Sequence, residues 1–182
     1  MKKVGDVITN FSIIGIKPGF NFPEEGGQSA FERITNLSFL GKWKVLYFYP
    51  KDFTFVCPTE IGDFSILSNQ FNIRNAVLMG GNSDTEFGKL AWRRQNSILS
   101  RLNHLSFCDP NGSLIDQLGI RDRTLGLPLR STFILDERNV VQYCSALNSN
   151  VGRNPEEILR VLDALQTKRM CASKRQIGDI SI

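Results

Sequence analysis

Cys57 sits in the stretch FTFVCPTE, Phe53 to Glu60, where the nearest charges are the carboxylates of Asp52 and Glu60 and the other neighbours are mostly apolar. Both surroundings disfavour a thiolate, the form in which cysteine attacks. A reactive Cys57 therefore needs help from elsewhere in the chain. An ordinary thiol, with a pKa of about 8.5, is only a few per cent ionised at neutral pH, so full ionisation raises reactivity by no more than about thirtyfold. Fast attack on an O–O bond needs more: donors that hold the target in line and stabilise charge developing on the leaving oxygen.

Arg130, in GLPLRSTFILD, is the best candidate cation. It stands just ahead of an expected central strand, stays charged, and carries a planar fork suited to two oxygens at once. Thr54, three residues before Cys57, can bring a hydroxyl beside the sulfur. The competing assignments are a surface ion pair for Arg130 and a helix cap for Thr54. Thioredoxin-type oxidoreductases carry a second cysteine three residues after the first, and here that position is Glu60. A local disulfide is excluded, so a redox cycle either stops at a sulfenic acid or uses a distant cysteine.

The elements that must position these residues follow from the pattern. WKVLYFYP reads as a strand buried on both faces. Ile61, Phe64, Leu67 and Phe71 then recur at helical spacing in a segment that Pro58 can open, which puts Cys57 at a helix N-terminus. NAVLMGG reads as a second buried strand, and SDTE, Ser83 to Glu86, as a capping box opening a helix with Phe87, Leu90 and Ala91 inside. After the turn DPNG and a short helix, STFILDERNVVQYCSAL reads as a hairpin. NPEEILRVLDALQTK reads as a closing helix, with Lys168 and Arg169 at its C-terminal end. A βαβ unit, a hairpin and a final helix on one mixed sheet is the thioredoxin-like order, an α/β fold. Residues 17 to 42, rich in glycine and proline, are expected to form a long surface loop. The domain is expected to span 1–170, followed by a mobile tail over 171–182.

The chain's 182 residues suit one domain, and no window approaches the ~20 apolar residues of a membrane span. The start, MKKVGDVITNF, lacks the apolar run of a signal peptide, so a cytoplasmic location is expected. The net charge of +4 comes partly from KLAWRRQ and partly from TKRMCASKR. These are read as a solvated helix face and a solvated tail, without a nucleic-acid motif. The four cysteines, at 57, 108, 144 and 171, are too scattered for a zinc site and the single histidine, His104, has no partner at ligand spacing, so no metal or other cofactor is expected. Cys108 and Cys144 are read as small buried hydrophobes and His104 as structural. For Trp92 and Phe53, lining of a pocket or a subunit interface and core packing remain equally open.

PKDFTFVCPTE carries the Pro-x-x-x-Thr-x-x-Cys signature of the peroxiredoxins, and the chain resembles their AhpC type, most closely the actinobacterial form. The resemblance extends through GKWKVLYFYP, RSTFILD, VGRNPEEILRVLDALQ and the late Cys171. It implies that Cys57 is the peroxidatic cysteine, oxidised to a sulfenic acid by hydrogen peroxide or an organic hydroperoxide. It implies too that Pro50, Thr54 and Arg130 shape the peroxide pocket, and that Glu60 pairs with Arg153. Cys171 corresponds to the resolving cysteine, which would condense with the peroxidatic cysteine of a neighbouring subunit. The implied assembly is an antiparallel homodimer that builds a decameric or dodecameric ring. The implied reductant is a disulfide reductase: AhpD, thioredoxin or AhpF. Three departures bear on this. The surroundings of Cys171, RMCASK, lack the usual valine and proline; Ser173 stands where the actinobacterial form has a further cysteine; and the Gly-Gly-Leu-Gly and Tyr-Phe motifs of overoxidation-sensitive members are missing. The last implies resistance to hyperoxidation. Two other functions are compatible with the sequence: a ring-forming holdase chaperone or redox-signalling scaffold, and a dithiol oxidoreductase, which Glu60 disfavours.

Overall fold

The computed structural model describes residues 1–179; the last three positions of the expected tail, 180–182, lie outside the described residues. Seven strands form one mixed sheet: β1 (Ser12–Ile16), β4 (Phe31–Thr35), β5 (Trp43–Phe48), β6 (Ala76–Asn82), β7 (Leu105–Cys108), β8 (Arg130–Leu135) and β9 (Val141–Leu147). A two-stranded ribbon, β2 (Glu24–Glu25) with β3 (Gln28–Ser29), stands apart. The helices are α1 (Cys57–Ile66), α2 (Ser68–Asn72), α3 (Glu86–Gln95), α4 (Ser113–Leu118) and α5 (Pro155–Gln166). The order across the large sheet is β4-β1-β7-β6-β5-β8-β9, with β5, β6 and β7 parallel and the remaining pairs antiparallel.

β5 is buried at all six positions because both faces of the sheet are covered. Its residues alternate between two cores, as a two-residue side-chain period requires. Trp43, Val45 and Tyr47 pack with Ile61 and Phe64 of α1, Phe71 of α2, Trp92 of α3 and Leu159 and Leu162 of α5. Leu46 and Phe48 pack on the other face with Leu114, Ile115 and Leu118 of α4 and with Phe133 of β8. The thioredoxin-like order expected from the sequence is present.

Five local expectations need correction. Residues 17–42 are not one loop: β4 pairs with β1 at the far edge, and β2 and β3 form the small ribbon. The helix expected through Phe71 breaks at Leu67, which caps both the end of α1 and the start of α2. The cap of α3 is Thr85, whose hydroxyl accepts from Gly88 N–H at 3.3 Å, and Phe87 is exposed. The run KLAWRRQ is no solvated face: Lys89, Trp92 and Arg93 are buried. α5 ends at Gln166, so Lys168 and Arg169 lie beyond its last turn.

The chain from Cys171 to Asp179 lies against α5. Arg175, buried despite its place in a basic tail, donates to Asp163 at 2.8 Å, and Asp163 also accepts from Arg74 at 3.0 Å. Among the described residues no helix is long and apolar enough to cross a membrane.

Candidate active site

The first residue of α1 is Cys57, followed by Pro58, which lacks the N–H that a first-turn residue would leave unbonded. The sulfur therefore sits where the helix's unpaired N–H groups and macrodipole favour negative charge, an effect of about 0.3–1 kcal/mol at exposed sites and up to ~2 when partly buried. Cys57 is 2% exposed.

β5 and β8 are adjacent and antiparallel, so the start of β8 lies at the end of β5 from which the chain runs on toward α1. Arg130 is the first residue of β8. One arm of its guanidinium, Nη2, lies 3.7 Å from Cys57 Sγ and donates to the Ser149 carbonyl at 2.8 Å; the other, Nη1, donates to Glu60 Oε2 at 2.5 Å. Glu60 is one turn after Cys57 on α1, and Arg153 closes over it. The Arg153 backbone N–H and Nε donate to Oε1 at 2.7 and 2.6 Å, and Nη2 to Oε2 at 2.9 Å. Arg153 Nη1 donates to the Ser131 carbonyl at 2.6 Å, tying the arrangement to β8. Burial alone would push the Glu60 carboxyl up, but the hydrogen bonds and charge of Arg153, joined by the charge of Arg130, outweigh it and hold the carboxyl below the usual range.

Two guanidinium groups and one carboxylate leave one positive charge in a buried cluster. A Cys57 thiolate is the counter-charge that would neutralise it, and uncompensated buried charge is costly. The carboxylate that seemed to oppose a reactive cysteine is thus the strut that holds two cations.

Aromatic rings support Arg153 from behind. Its guanidinium lies 5.2 Å from the Tyr47 ring centroid and 5.9 Å from that of Phe64, and those two rings stack at 4.2 Å. Tyr47 reaches over Gly80 on the neighbouring strand so closely that a Cβ there would lie 2.0 Å from its ring, so only glycine fits. The Tyr47 hydroxyl is 2.6 Å from His104 Nε2. Burial, with the Arg93 charge, pushes His104 down to about 3, so this histidine is neutral at ordinary pH.

The structure brings Cys57, Arg130, Glu60 and Arg153 together. Pro50 is half-buried just after β5. Among the described residues, the hydrogen bond of the Thr54 hydroxyl goes to the Lys51 carbonyl at 3.1 Å and not to Cys57, so Thr54 neither caps α1 nor hydrogen-bonds the sulfur here. Cys171 is elsewhere, against the last turn of α5, with Sγ 3.5 Å from Thr167 Oγ1 and 3.8 Å from the Ala164 carbonyl. Cys108 is fully buried, and burial pushes its thiol up to about 12, which suits a core residue. Cys144 is half-buried within β9 and packs against the same core as Phe133. Sequence reasoning missed the Ser149 carbonyl, a backbone group with no side-chain signature.

The model of the AhpC/TSA family matches residues 5–144. The chain belongs to this family. Alkyl hydroperoxide reductase C of Mycobacterium tuberculosis is 44% identical over 149 residues, covering 82% of this chain and 76% of that protein. The solved structure of Mycobacterium tuberculosis AhpC superposes with a TM-score of 0.86 at 39% identity, over 95% of this chain and 98% of that one. A reduced 2-Cys peroxiredoxin of Plasmodium vivax reaches a TM-score of 0.88 at 28% identity, over 100% of this chain and 93% of that one. The AhpC/TSA match ends before Arg153 and Cys171.

Proposed function

We propose that Cys57 is the attacking thiol of a thiol-dependent peroxidase that reduces hydrogen peroxide and organic hydroperoxides. The observation that carries this is the Arg130 guanidinium spanning Cys57 Sγ and Glu60, in a chain whose family relatives include an alkyl hydroperoxide reductase. The thiolate attacks the nearer peroxide oxygen, the O–O bond breaks, and its electron pair leaves on the distal oxygen. That oxygen takes a proton and departs as alcohol or water, while Cys57 becomes a sulfenic acid. Arg130 stabilises the thiolate before the reaction and the leaving oxygen during it. Thr54 and Pro50 bound the space in which the peroxide lies.

Cys171 of a second subunit then condenses with the sulfenic acid, forming the disulfide and releasing water. To do so, the chain from Cys171 onward leaves its place on α5. The outer edge of β9, the terminal strand of the sheet, offers a place for two copies to pair antiparallel. Such dimers assemble into a decameric or dodecameric ring in the cytoplasm, and AhpD, thioredoxin or AhpF returns the disulfide to thiols. Prompt condensation protects Cys57 from hyperoxidation.

Stopped-flow peroxide consumption tests the reading. Cys57→Ser is expected to abolish it, and full activity in that variant refutes the assignment. Cys171→Ser is expected to keep the first turnover and lose recycling. On a non-reducing gel, peroxide is expected to produce a covalent dimer that is missing in either variant.

A further inference from the structure

The buried basic run on α3 leads to the residues just before Cys57. Lys89, with a side chain 3% exposed, donates to both carboxylate oxygens of Asp52 at 3.0 and 3.2 Å, to the Tyr49 hydroxyl at 2.9 Å and to Asn82 Oδ1 at 2.5 Å. Asn82, at the end of β6, uses its amide nitrogen to reach Asp52 Oδ1 at 3.0 Å and Asp84 Oδ2 at 2.9 Å. That same Asp84 oxygen accepts the backbone N–H of Asp52 at 2.7 Å. Asp52 is therefore gripped at both side chain and backbone, five residues before Cys57.

The residue after it, Phe53, has a φ of 57°. A bulky residue keeps that left-handed conformation only where its surroundings dictate it. Those surroundings include α3 again: the Phe53 ring lies 5.8 Å from that of Trp92, one turn beyond Lys89. Thr54 comes next, its hydroxyl closing the turn onto Lys51. One face of α3 thus holds the turn over 50–54 by an ion pair and an aromatic contact.

We propose that Lys89 is a positioning residue for peroxide reduction: through Asp52 it fixes the turn over 50–54 and so sets where Thr54 stands as the chain enters α1 at Cys57. This rests on Cys57 being the attacking thiol. An ion pair that only stabilised the fold would leave the chemistry of a folded variant unchanged. A positioning residue instead affects the reaction that needs alignment more than one that does not, since a misplacement of about 1 Å can slow a reaction by ~100-fold.

The test compares two reactions at the same sulfur in Lys89→Met, a variant that keeps most of the unbranched side chain and removes its charge. Oxidation of Cys57 by hydrogen peroxide requires alignment. Alkylation by iodoacetamide, read by mass on the peptide carrying Cys57, does not. The expected result is a peroxide rate lower by about tenfold or more, with alkylation within about twofold of the parent and an unchanged near-ultraviolet circular dichroism spectrum. A peroxide rate within twofold of the parent, or a parallel fall in both rates, overturns the proposal. Should Lys89→Met fail to fold, Asp84→Ala, which removes the acceptor of the Asp52 N–H nearer the surface, decides on the same ratio. If Cys57→Ser is inactive and a folded Lys89→Met reacts with peroxide at the parental rate, only the role of Lys89 fails; if Cys57→Ser is fully active, the reading of the site fails first.

Discussion

Arg130 serves three acceptors from one planar group: the Cys57 sulfur, the Glu60 carboxylate and the Ser149 carbonyl. A lysine has the same charge but concentrates it in one ammonium at the end of a flexible stem, and cannot present two arms to the sulfur and the carboxylate in fixed geometry. Arg130→Lys is therefore expected to slow the first turnover with peroxide by about 10²–10³-fold, the range found when a single transition-state donor is removed. Single-turnover kinetics with excess peroxide measure this directly. A loss below about threefold would show that charge alone, without the fork, is enough. Glu60 illustrates why residue-level reading from sequence is incomplete: its charge beside Cys57 reads as an obstacle until the distant Arg153 is placed on it, three donors meeting both carboxylate oxygens across 93 positions of chain.

At the scale of elements, α5 and the chain that follows it form a clasp. Asp163 accepts from Arg74 and Arg175 at once, and the Arg160 guanidinium donates to the Arg175 carbonyl at 3.3 Å. Burial alone would push the Asp163 carboxyl up, but the two arginines outweigh it and hold it low, so the clasp is charged at neutral pH. If Cys171 has to leave α5 to meet a sulfenic acid, the clasp opposes that step. Part-exposed ion pairs are worth ~1 kcal/mol or less, so Asp163→Ala is expected to speed disulfide formation by up to about fivefold while leaving sulfenic-acid formation unchanged. Rapid-quench mass spectrometry separates the two steps, and slower condensation in the variant would mean that the clasp presents Cys171 instead of restraining it. The same scale explains what the sequence conveyed and what it hid. β5, β6, the opening of α1 at Cys57 and the strand begun by Arg130 were legible because long apolar runs and a well-placed proline leave few alternatives. β4 was hidden because FERIT is an edge strand with charges at two of its five positions. The inward face of α3 was hidden because lysine and arginine are read as solvent-facing, although Lys89, Trp92 and Arg93 recur at three- and four-residue spacing with an aromatic among them, the pattern of a buried face.

Across the whole molecule, one titration can be assigned to one residue, because the chain has a single histidine. In the folded protein burial and the Arg93 charge push His104 down to about 3, from an ordinary 6.5. The folded state therefore holds His104 neutral where the unfolded chain already binds a proton. The sign follows from linkage: the unfolded state binds more protons below pH 6.5, so the stability contribution is fully present above that value and is lost as pH falls toward 3. Once the unfolded histidine is fully protonated, the slope from this group approaches about 1.4 kcal/mol per pH unit. Between pH 6.5 and about 5 most carboxylates remain ionised in both states, so this window isolates the histidine. Urea unfolding at several pH values across it is expected to show stability falling with decreasing pH in the parent and a nearly flat profile in His104→Asn. The comparison uses slopes, so it holds even though the variant also disturbs the Tyr47 hydroxyl and lowers stability at every pH. Equal slopes in the two proteins would place the proton uptake on other groups. Because Tyr47 carries both His104 at its hydroxyl and Arg153 on its ring face, acid that protonates the unfolded histidine draws down the population of the folded arrangement that holds Arg153 on Glu60 and Arg130 on Cys57.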